Sequence, residues 1–301
     1  MSRNLRGNFK LMTYGDDWEI RLQHAISNIR HAKIQLNPFP YFLVEPFLPW
    51  DLYHQMTEYW PKDSSFWGQS ELSNKNIAHL EANLRRVIIM RDASGFAQNN
   101  SEKEFWKNFE ILAHSELLLN EIIIKCKKLI VNSRQDLDID NVSYRMQSIL
   151  GMDEKGYFLG PHVDASDTVV NLLLFIPYSH SPDSLGTSIY EPKLKLLKNV
   201  PRLKESFSGK YFQEKDFKEV SRAPYRPNVL FGMVNSPTAF HGVKRLTDKT
   251  VKRRHIQWVI STDNKDIFPS ALDKLERGIT KNTNLRKIRL EALLKSKNIN
   301  T

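Results

Sequence analysis

The sequence predicts an α+β fold with a mainly β core, a jelly roll buttressed by N-terminal helices and a C-terminal helix. Two observations lead to this prediction. Helical apolar spacing dominates the first part of the chain, whereas many short apolar segments separated by turns follow from about residue 141. The length of 301 residues and the apolar fraction of 41% suit a globular chain with a substantial core.

The first 140 residues are predicted to form a helical support region that also contains two strands. Asn37 and Pro38 end the first helix, because proline disfavours helix both before and at its own position. The helix at 115–131 has apolar residues on one face and lysines elsewhere, as expected of a helix packed on a sheet. The predicted helices span about 16–35, 50–59, 105–113 and 115–131, and the predicted strands span 41–44 and 84–90.

Residues 141–262 are predicted to form the β core. Its predicted strands span 142–150, 168–176, 186–190, 228–234 and 253–261. A long basic stretch with few regular signals, 191–226, is expected to be an insertion or a lid, because loops of this length in compact domains are usually functional or disordered. The last part, 263–301, contains a predicted amphipathic helix at about 276–296. We expect all these parts to form one domain.

The composition of the chain indicates which classes of partner and which cellular compartment to expect. The formal net charge of +10 comes largely from 193–218 and 277–297, which lack the interleaved aromatic residues of single-strand binders. No zinc-finger, helix-turn-helix or RNA-recognition signature is visible, so a nucleic-acid partner is not expected. Neither a secretory signal nor an apolar run of the roughly 18–20 residues that cross a bilayer is evident, so no membrane association is expected. The single cysteine, Cys126, excludes an intrachain disulfide and suits a cytoplasmic protein.

A His-x-Asp pair is the first sign of chemistry in this sequence. His162 and Asp164 lie two residues apart, just before the apolar segment 168–176. In an extended segment, residues i and i+2 point to the same side, so the imidazole and the carboxylate reach one common ion. The pair supplies two-thirds of the 2-His-1-carboxylate set that holds Fe(II) with positions left open.

A third histidine and a basic cluster follow later in the chain, and they supply the remaining groups that iron chemistry with an α-keto acid needs. His241 comes after the predicted strand 228–234 and completes three ligands, which leaves positions for a keto acid and for oxygen. The far carboxylate of such a keto acid needs a buried cation, preferably the planar fork of an arginine. Lys252, Arg253 and Arg254 lie eleven, twelve and thirteen residues after His241.

Six short motifs occur in a fixed order between residues 142 and 262. They are Gly160-Pro161-His162-Val163-Asp164, Leu172-Leu173-Leu174-Phe175, Gly186-Thr187-Ser188-Ile189-Tyr190, Pro227-Asn228-Val229-Leu230-Phe231, His241-Gly242-Val243 and Arg253-Arg254-His255-Ile256. Together they resemble the Fe(II)/2-oxoglutarate-dependent dioxygenases, in the prolyl-hydroxylase-like and phytanoyl-hydroxylase-like part of that superfamily. The segment 38–48 also resembles the opening of many bacterial members.

The resemblance implies a double-stranded β-helix with Fe(II) held by His162, Asp164 and His241, and with 2-oxoglutarate and O2 as cosubstrates. Family members place an arginine or lysine slightly closer to the second histidine, so this chain departs from the pattern there. Arg253 is the preferred partner of the far carboxylate because, as in the family, an aliphatic residue follows it three positions later. Arg254 is the alternative, and Lys252 also stays open.

Three further residues are predicted near the site. The resemblance also implies that Tyr144 or Gln147, on the strand before the His-x-Asp pair, hydrogen-bonds the cosubstrate. Asn171 interrupts an apolar run, and a buried amide needs partners, so it is predicted either to line the substrate pocket or to have a structural role.

The identity of the carboxylate ligand indicates the type of reaction. Iron-dependent halogenases of this superfamily have a small residue at the position of Asp164, which frees a site for chloride. A carboxylate here favours hydroxylation, with release of succinate and CO2. The predicted substrate is a small molecule, an amino acid or a peptidyl side chain, and the basic residues of 191–226 favour an anionic group on it.

Two other functions stay open from the sequence. A nucleic-acid-modifying oxygenase of the same superfamily would suit the net charge, but nucleobase demethylases carry a second arginine further along the last strand, where this chain has Val259. A non-catalytic β-barrel binding protein would have lost a ligand residue, and none is missing. The sequence leaves the oligomeric state open.

Overall fold

The computed structural model describes residues 16–68, 84–133, 138–139, 141–165, 167–178, 181–193, 214–236 and 238–262. Within these residues the chain combines helices with antiparallel sheets. The helices are α1 (Asp16–His31), α2 (Trp50–Glu58), α3 (Asn100–Ala113) and α4 (Glu116–Ser133). The strands are β1 (Ile34–Gln35), β2 (Tyr41–Val44), β3 (Trp67–Gly68), β4 (Arg85–Ile89), β5 (Tyr144–Asp153), β6 (Leu159–His162), β7 (Thr168–Phe175), β8 (Thr187–Pro192), β9 (Phe217–Ala223), β10 (Leu230–Val234), β11 (His241–Val243) and β12 (Arg253–Thr262).

The described strands form two antiparallel sheets. The large sheet has the order β1-β2-β10-β7-β12-β5-β4-β3, and the small sheet has the order β6-β11-β8-β9. From β5 onward the chain passes repeatedly between them: β5, β7, β10 and β12 belong to the large sheet, and β6, β8, β9 and β11 to the small one. Strands β1 to β4 extend the two edges of the large sheet. The N-terminal region, predicted as helical support, therefore contributes to the sheet as well.

Helices cover one side of the large sheet. Four buried side chains spaced one turn apart form the inner face of α4: Leu118, Ile122, Cys126 and Ile130. They join a single buried cluster with side chains of the large sheet. The indole N–H of Trp258 on β12 donates to the carbonyl oxygen of Ala113, the last residue of α3, at 3.0 Å. None of the described helices is both long and apolar enough to cross a membrane.

A second buried cluster fills the space between the two sheets. Leu173 and Phe175 of β7 and Phe231 of β10 come from the large sheet, and Ile189 and Phe217 come from the small sheet. Successive strand residues point to opposite sides, so alternate residues of the large sheet face either the helices or this interior. The candidate site lies on the interior side.

One segment predicted to be irregular contains a strand. Within 191–226, strand β9 pairs antiparallel with β8, which itself runs to Pro192. Strand β9 lies at the edge of the small sheet and is largely polar, so it lacks the apolar run that identifies a strand in a sequence. Residues 194–213 and the final helix predicted at 276–296 lie outside the described residues.

Helix α3 begins five residues earlier than its apolar spacing predicts. Asn99 caps it, because its side-chain oxygen accepts a hydrogen bond from the main-chain N–H of Glu102 at 2.9 Å. The Glu102 carboxylate in turn accepts from the main-chain N–H of Gln98 at 2.6 Å. This reciprocal pair resembles a capping box and fixes the start of the helix.

Candidate metal centre

The three predicted ligand side chains meet at the ends of two paired strands. His162 is the last residue of β6, His241 is the first residue of β11, and the two residues pair directly across the strands. Asp164 follows two residues after His162. One ligand atom from each side chain lies within 4.8 Å of the other two. The structure thus brings the three residues together, and their role as metal ligands stays a prediction.

Each histidine ring is oriented by its own main chain. The Nδ1 atom of His162 lies 2.9 Å from the carbonyl oxygen of Gly160, and the Nδ1 atom of His241 lies 3.0 Å from that of Ala239. A carbonyl oxygen only accepts, so in the neutral rings we assign the proton to Nδ1 and the lone pair to Nε2. Histidines that bind metals commonly have this arrangement, because the bond at the second nitrogen fixes the ring and its tautomer.

The two lone pairs converge on one oxygen of Asp164. The Nε2 atoms of His162 and His241 lie 3.8 Å and 3.7 Å from Oδ1 of Asp164, which is too long for hydrogen bonds. Both imidazoles are buried, whereas the Asp164 side chain is 17% exposed. The donor atoms are therefore shielded from most of the solvent but reachable from the carboxylate side. Two imidazole nitrogens and one carboxylate oxygen around a gap of this size fit a divalent transition metal.

A pair of amides supports the Asp164 carboxylate. The Nδ2 atom of Asn171 on β7 donates to Oδ2 of Asp164 at 3.0 Å. The Nε2 atom of Gln257 on β12 donates to Oδ1 of Asn171 at 3.1 Å. Asn171, predicted from the sequence to line the pocket or to have a structural role, thus lies against a predicted ligand. Sequence reasoning missed Gln257, although it shares strand parity with Arg253.

Arg253 and Arg254 point to opposite sides of the large sheet. The guanidinium of Arg253 lies between the sheets, where it donates to the Leu185 carbonyl oxygen at 2.7 Å and to the Thr187 hydroxyl at 3.2 Å. The guanidinium of Arg254 packs 3.9 Å from the ring centre of Tyr178 and donates to a main-chain oxygen. Only Arg253 therefore faces the interior on which the Asp164 carboxylate and its amide partners lie.

Lys252 is held at the surface by acidic residues. Its ammonium forms an ion pair with Asp63 and lies 3.7 Å from the carboxylate of Glu154. It shares strand parity with Arg254 and so points away from the interior. The structure thus does not bring Lys252 to the three predicted metal ligands.

The two predicted residues on β5 lie in different surroundings. Tyr144 packs against the helix-side cluster, and its hydroxyl donates to the Ile139 carbonyl oxygen at 3.3 Å. Gln147 has the parity of the interior side but is exposed, opposite Val259 of β12. The structure therefore does not bring Tyr144 to the predicted ligands, and it leaves Gln147 at a solvent-exposed position.

A buried ionic cluster surrounds Arg253. Arg85 on β4 donates to Asp153 through Nε at 2.6 Å and through Nη2 at 3.0 Å, and Nη1 of Arg253 donates to the same carboxylate at 2.9 Å. Burial alone would raise the pKa of Asp153, but the charge and hydrogen bonds of Arg85, with smaller contributions from His255 and Arg253, outweigh it and lower that pKa to about 2. Asp153 is thus a carboxylate at neutral pH.

His255 lies in the same cluster with both ring nitrogens unsatisfied. It is fully buried, and neither Nδ1 nor Nε2 has a hydrogen-bond partner in the described part of the chain. Burial lowers its pKa to about 3, so the ring is neutral at pH 7. The ring occupies the space opposite Gly151, where a Cβ atom would lie 2.3 Å from Nε2. The glycine at 151 therefore makes room for this imidazole. Neither residue by itself indicates this contact in the sequence.

Comparisons with known proteins find similarity in structure only. No protein-family model matches the chain, and no curated protein matches it. A prolyl hydroxylase from Trichoplax adhaerens, solved with a peptide fragment of hypoxia inducible factor, is 11% identical with a TM-score of 0.48 over 84% of this chain and 96% of that chain. A prolyl-4-hydroxylase from Pseudomonas putida is 11% identical with a TM-score of 0.42 over 80% and 98% of the two chains.

A third similar structure is HygX from Streptomyces hygroscopicus with nickel, 2-oxoglutarate and hygromycin B bound. It is 13% identical, with a TM-score of 0.42 over 74% of this chain and 83% of that chain. Two of these three structures are prolyl hydroxylases, and the third holds 2-oxoglutarate. At identities of 11–13%, the function of this chain has to be argued from its own side chains.

Proposed function

We propose that this chain is an Fe(II)/2-oxoglutarate-dependent dioxygenase. One observation carries the proposal: the lone pairs of His162 and His241 and one oxygen of Asp164 converge beside the interior between the sheets. The amide pair that supports Asp164 comes from the same interior side, as does the guanidinium of Arg253. A predicted ligand set and a predicted cosubstrate partner thus face one space.

The donor set fits Fe(II). Two neutral imidazoles and one carboxylate are the ligands of non-haem Fe(II) oxygenases, and they leave positions open for other ligands. His162, Asp164 and His241 would hold the ion. When bound with 2-oxoglutarate and O2, iron supplies an oxidant for unreactive C–H bonds. The part of the chain is to fix the three donors, which it does through two main-chain carbonyl oxygens and the Asn171 amide.

The surroundings of Arg253 fit the far carboxylate of 2-oxoglutarate. Among the described residues, Leu185, Asp153 and Thr187 use three of the five guanidinium N–H groups and leave two donors for a ligand. Asp153 already has a bidentate partner in Arg85 and does not depend on Arg253 alone. The guanidinium is therefore able to meet a second carboxylate with charge-assisted hydrogen bonds.

His255 supports the same assignment through its unsatisfied ring. A fully buried imidazole without partners is costly, because a polar group buried without hydrogen bonds loses about 1–3 kcal/mol relative to a satisfied one. A carboxylate bound beside Arg253 would accept a hydrogen bond from the ring N–H of His255. Neighbouring Gly151 leaves the space that the ring needs. A carboxylate at this place would thus satisfy a buried ring that has no partner within the described residues.

We also propose that the two sheets form a double-stranded β-helix, that is, a jelly roll. The repeated passage of β5 to β12 between the sheets supports this assignment, and so does the apolar cluster between them. In this proposal residues 141–262 form the catalytic core, and the region predicted at 1–140 buttresses it and adds edge strands within one domain. The C-terminal part predicted at 263–301 lies outside the described residues. The proposed substrate enters from the exposed side of Asp164.

Hydroxylation is the proposed reaction, with succinate and CO2 as coproducts. Asp164 supports it, because a carboxylate at this position occupies the place that a halide would need. The proposed substrate is a small molecule, an amino acid or a peptidyl side chain.

Anaerobic reconstitution tests the iron and keto-acid assignment. Fe(II) and 2-oxoglutarate added together to the protein should produce a visible metal-to-ligand charge-transfer band. His241→Ala should abolish the band, whereas His54→Ala, which removes an exposed histidine of α2, should keep it. A wild-type protein without the band would show that the assignment is wrong.

Product formation tests the substrate class. Succinate release would be measured with panels of amino acids, peptides and oligonucleotides. Stimulation by amino acids or peptides agrees with the proposal, whereas stimulation by oligonucleotides alone would favour a nucleic-acid-modifying oxygenase.

A further inference from the structure

We infer that Asn171 and Gln257 form a hydrogen-bond relay that turns a single oxygen of Asp164 towards the metal. Both would be positioning residues, because neither is itself placed as a ligand. This inference rests on the proposed function, since it assigns a purpose to the surroundings of a proposed metal ligand. The relay would determine how many coordination positions of the ion stay free for other ligands.

The direction of the relay is fixed by chemistry. An ionised carboxylate only accepts hydrogen bonds, so Asn171 must present its NH2 group to Oδ2 of Asp164, at 3.0 Å. Its carbonyl oxygen then faces Gln257, which must donate through Nε2, at 3.1 Å. The hydrogen bonds therefore point in one direction: Gln257 donates to Asn171, and Asn171 donates to Asp164. Reversing either amide would bring two donors or two acceptors together.

The relay divides the two oxygens of Asp164 between two tasks. Oδ2 is occupied by the Asn171 amide, and Oδ1 is the atom that lies 3.8 Å and 3.7 Å from the Nε2 atoms of His162 and His241. A carboxylate held in this way binds through one oxygen. Binding through both would take one more position on the ion, whereas a keto acid and oxygen together need three free positions.

The relay also explains an amide in an apolar strand. Asn171 is buried on β7, a central strand of the large sheet, between Val170 and Leu172. A buried amide is destabilising unless its hydrogen bonds are made, so a structural role alone would be served better by an apolar residue. Within the described residues, both hydrogen bonds of its side chain belong to the relay. Position 171 thus favours the orientation of a ligand over packing.

Cobalt(II) titration of the metal-free protein, without cosubstrate, tests the relay. Binding is read from the visible d–d absorption of Co(II), which reports coordination directly and needs no turnover. Asn171→Leu, which keeps the branching at Cγ but has no amide, should weaken Co(II) binding about 10–100-fold, the usual effect of losing a partner of a metal ligand. It should also change the shape of the d–d band, because the freed carboxylate is able to bind through both oxygens.

Two further variants distinguish a relay from a packing effect. Gln257→Glu keeps the size but, when ionised, has no N–H to donate, so it should weaken Co(II) binding by several-fold. The double variant Asn171→Leu/Gln257→Leu should bind no more weakly than Asn171→Leu, because Gln257 acts only through Asn171. Additive losses would mean that the two residues do not act in series and would overturn the relay.

A matched control separates lost stability from lost metal binding. Asn228 is also a buried asparagine, but within the described residues its amide hydrogen-bonds only to the main chain of Leu48, at 2.9 Å and 2.7 Å. Asn228→Gly keeps the positive φ of 60° accessible and removes both bonds, so it should lower the melting temperature and leave Co(II) affinity unchanged.

The possible outcomes distinguish this inference from the proposed function. If Co(II) binds to wild type and to His241→Ala equally, the metal centre itself is wrong and the relay falls with it. If wild type binds Co(II) through His241 but Asn171→Leu and Gln257→Glu bind it as tightly, the relay is wrong and the proposed function stands. Loss of affinity in both variants, with the control unchanged, supports the relay.

Discussion

Alternate residues of strand β12 meet two different environments. On the interior side, Arg253, His255 and Gln257 are polar and meet an ionic cluster and the amide that supports Asp164. On the helix side, Ile256 and Trp258 are apolar and belong to the main buried cluster. One strand thus builds both the candidate site and the core. The effect of a substitution should therefore depend on strand parity more than on position along the chain.

The largest expected effect lies on the helix side. Trp258→Ala should lower the free energy of unfolding by about 3–5 kcal/mol, because it empties a buried volume and removes the bond to the Ala113 carbonyl oxygen. Urea denaturation would measure it. Co(II) affinity should stay at the wild-type value in protein that is still folded. A loss of metal affinity as large as that of Asn171→Leu would contradict the separation of the two sides.

The two neighbouring arginines give the sharpest contrast. Arg253→Lys should raise the dissociation constant of 2-oxoglutarate about 10–100-fold, because lysine loses the planar fork that meets a carboxylate with two N–H groups. Arg254→Lys should leave that constant unchanged, since its guanidinium stacks on Tyr178 on the other side of the sheet. Titration of the charge-transfer band in anaerobic Fe(II) protein would measure both. Equal losses in the two variants would remove the assignment to Arg253.

The order of the functional residues was predictable from the sequence, and the resemblance favoured Arg253 over Arg254, but strand parity by itself did not decide which of the two faces inward. The spacing of His162 and Asp164, a third histidine after an apolar strand and the resemblance of six ordered motifs together selected the three side chains that the structure brings together. Parity alone states that Arg253 and Arg254 face opposite sides but not which of them faces inward. That choice depends on pairing with β5, where Asp153 lies opposite Arg253, and such a register is a long-range property.

Residues whose role depends on a partner far away in the sequence were missed. Gln257 is ordinary until Asn171 is placed beside it, 86 residues earlier in the chain. Gly151 gains its meaning only from the ring of His255 across the strand pair. Strand β9 was missed for another reason, since an edge strand needs no apolar run and its polar residues suit a loop equally well.

A smaller effect is expected where two interior residues share one space. Gly151→Ala would place a Cβ atom 2.3 Å from Nε2 of His255, so the imidazole has to move. Overpacking of this kind should lower the free energy of unfolding by about 1–3 kcal/mol. Because the clash involves one side chain, the double variant Gly151→Ala/His255→Ala should lose less stability than the sum of its two single variants. Simple additivity in urea denaturation would contradict a direct contact.

The smallest expected effect is a dependence of stability on pH that originates in the interior of β12. Burial lowers the pKa of His255 from 6.5 to about 3, so between these values the unfolded chain binds a proton that the folded chain does not. The titration of His255 therefore has little effect on stability above about pH 6.5, and it lowers the free energy of unfolding more and more as the pH falls towards 3. The loss between pH 7 and pH 5.5 should be about 1 kcal/mol.

Comparison with His255→Asn isolates this contribution. The variant has no titrating ring at this position. Its free energy of unfolding should therefore decrease less between pH 7 and pH 5.5 than that of the wild type. A residual slope is expected from His114, whose pKa burial also lowers, whereas Asp153 contributes only as the pH falls below its ordinary value of 3.8 towards about 2. Urea denaturation at the two pH values measures the difference. Identical pH dependence in both proteins would mean that the His255 ring is protonated as easily in the folded chain as in the unfolded one. That result would contradict the lowered pKa of His255.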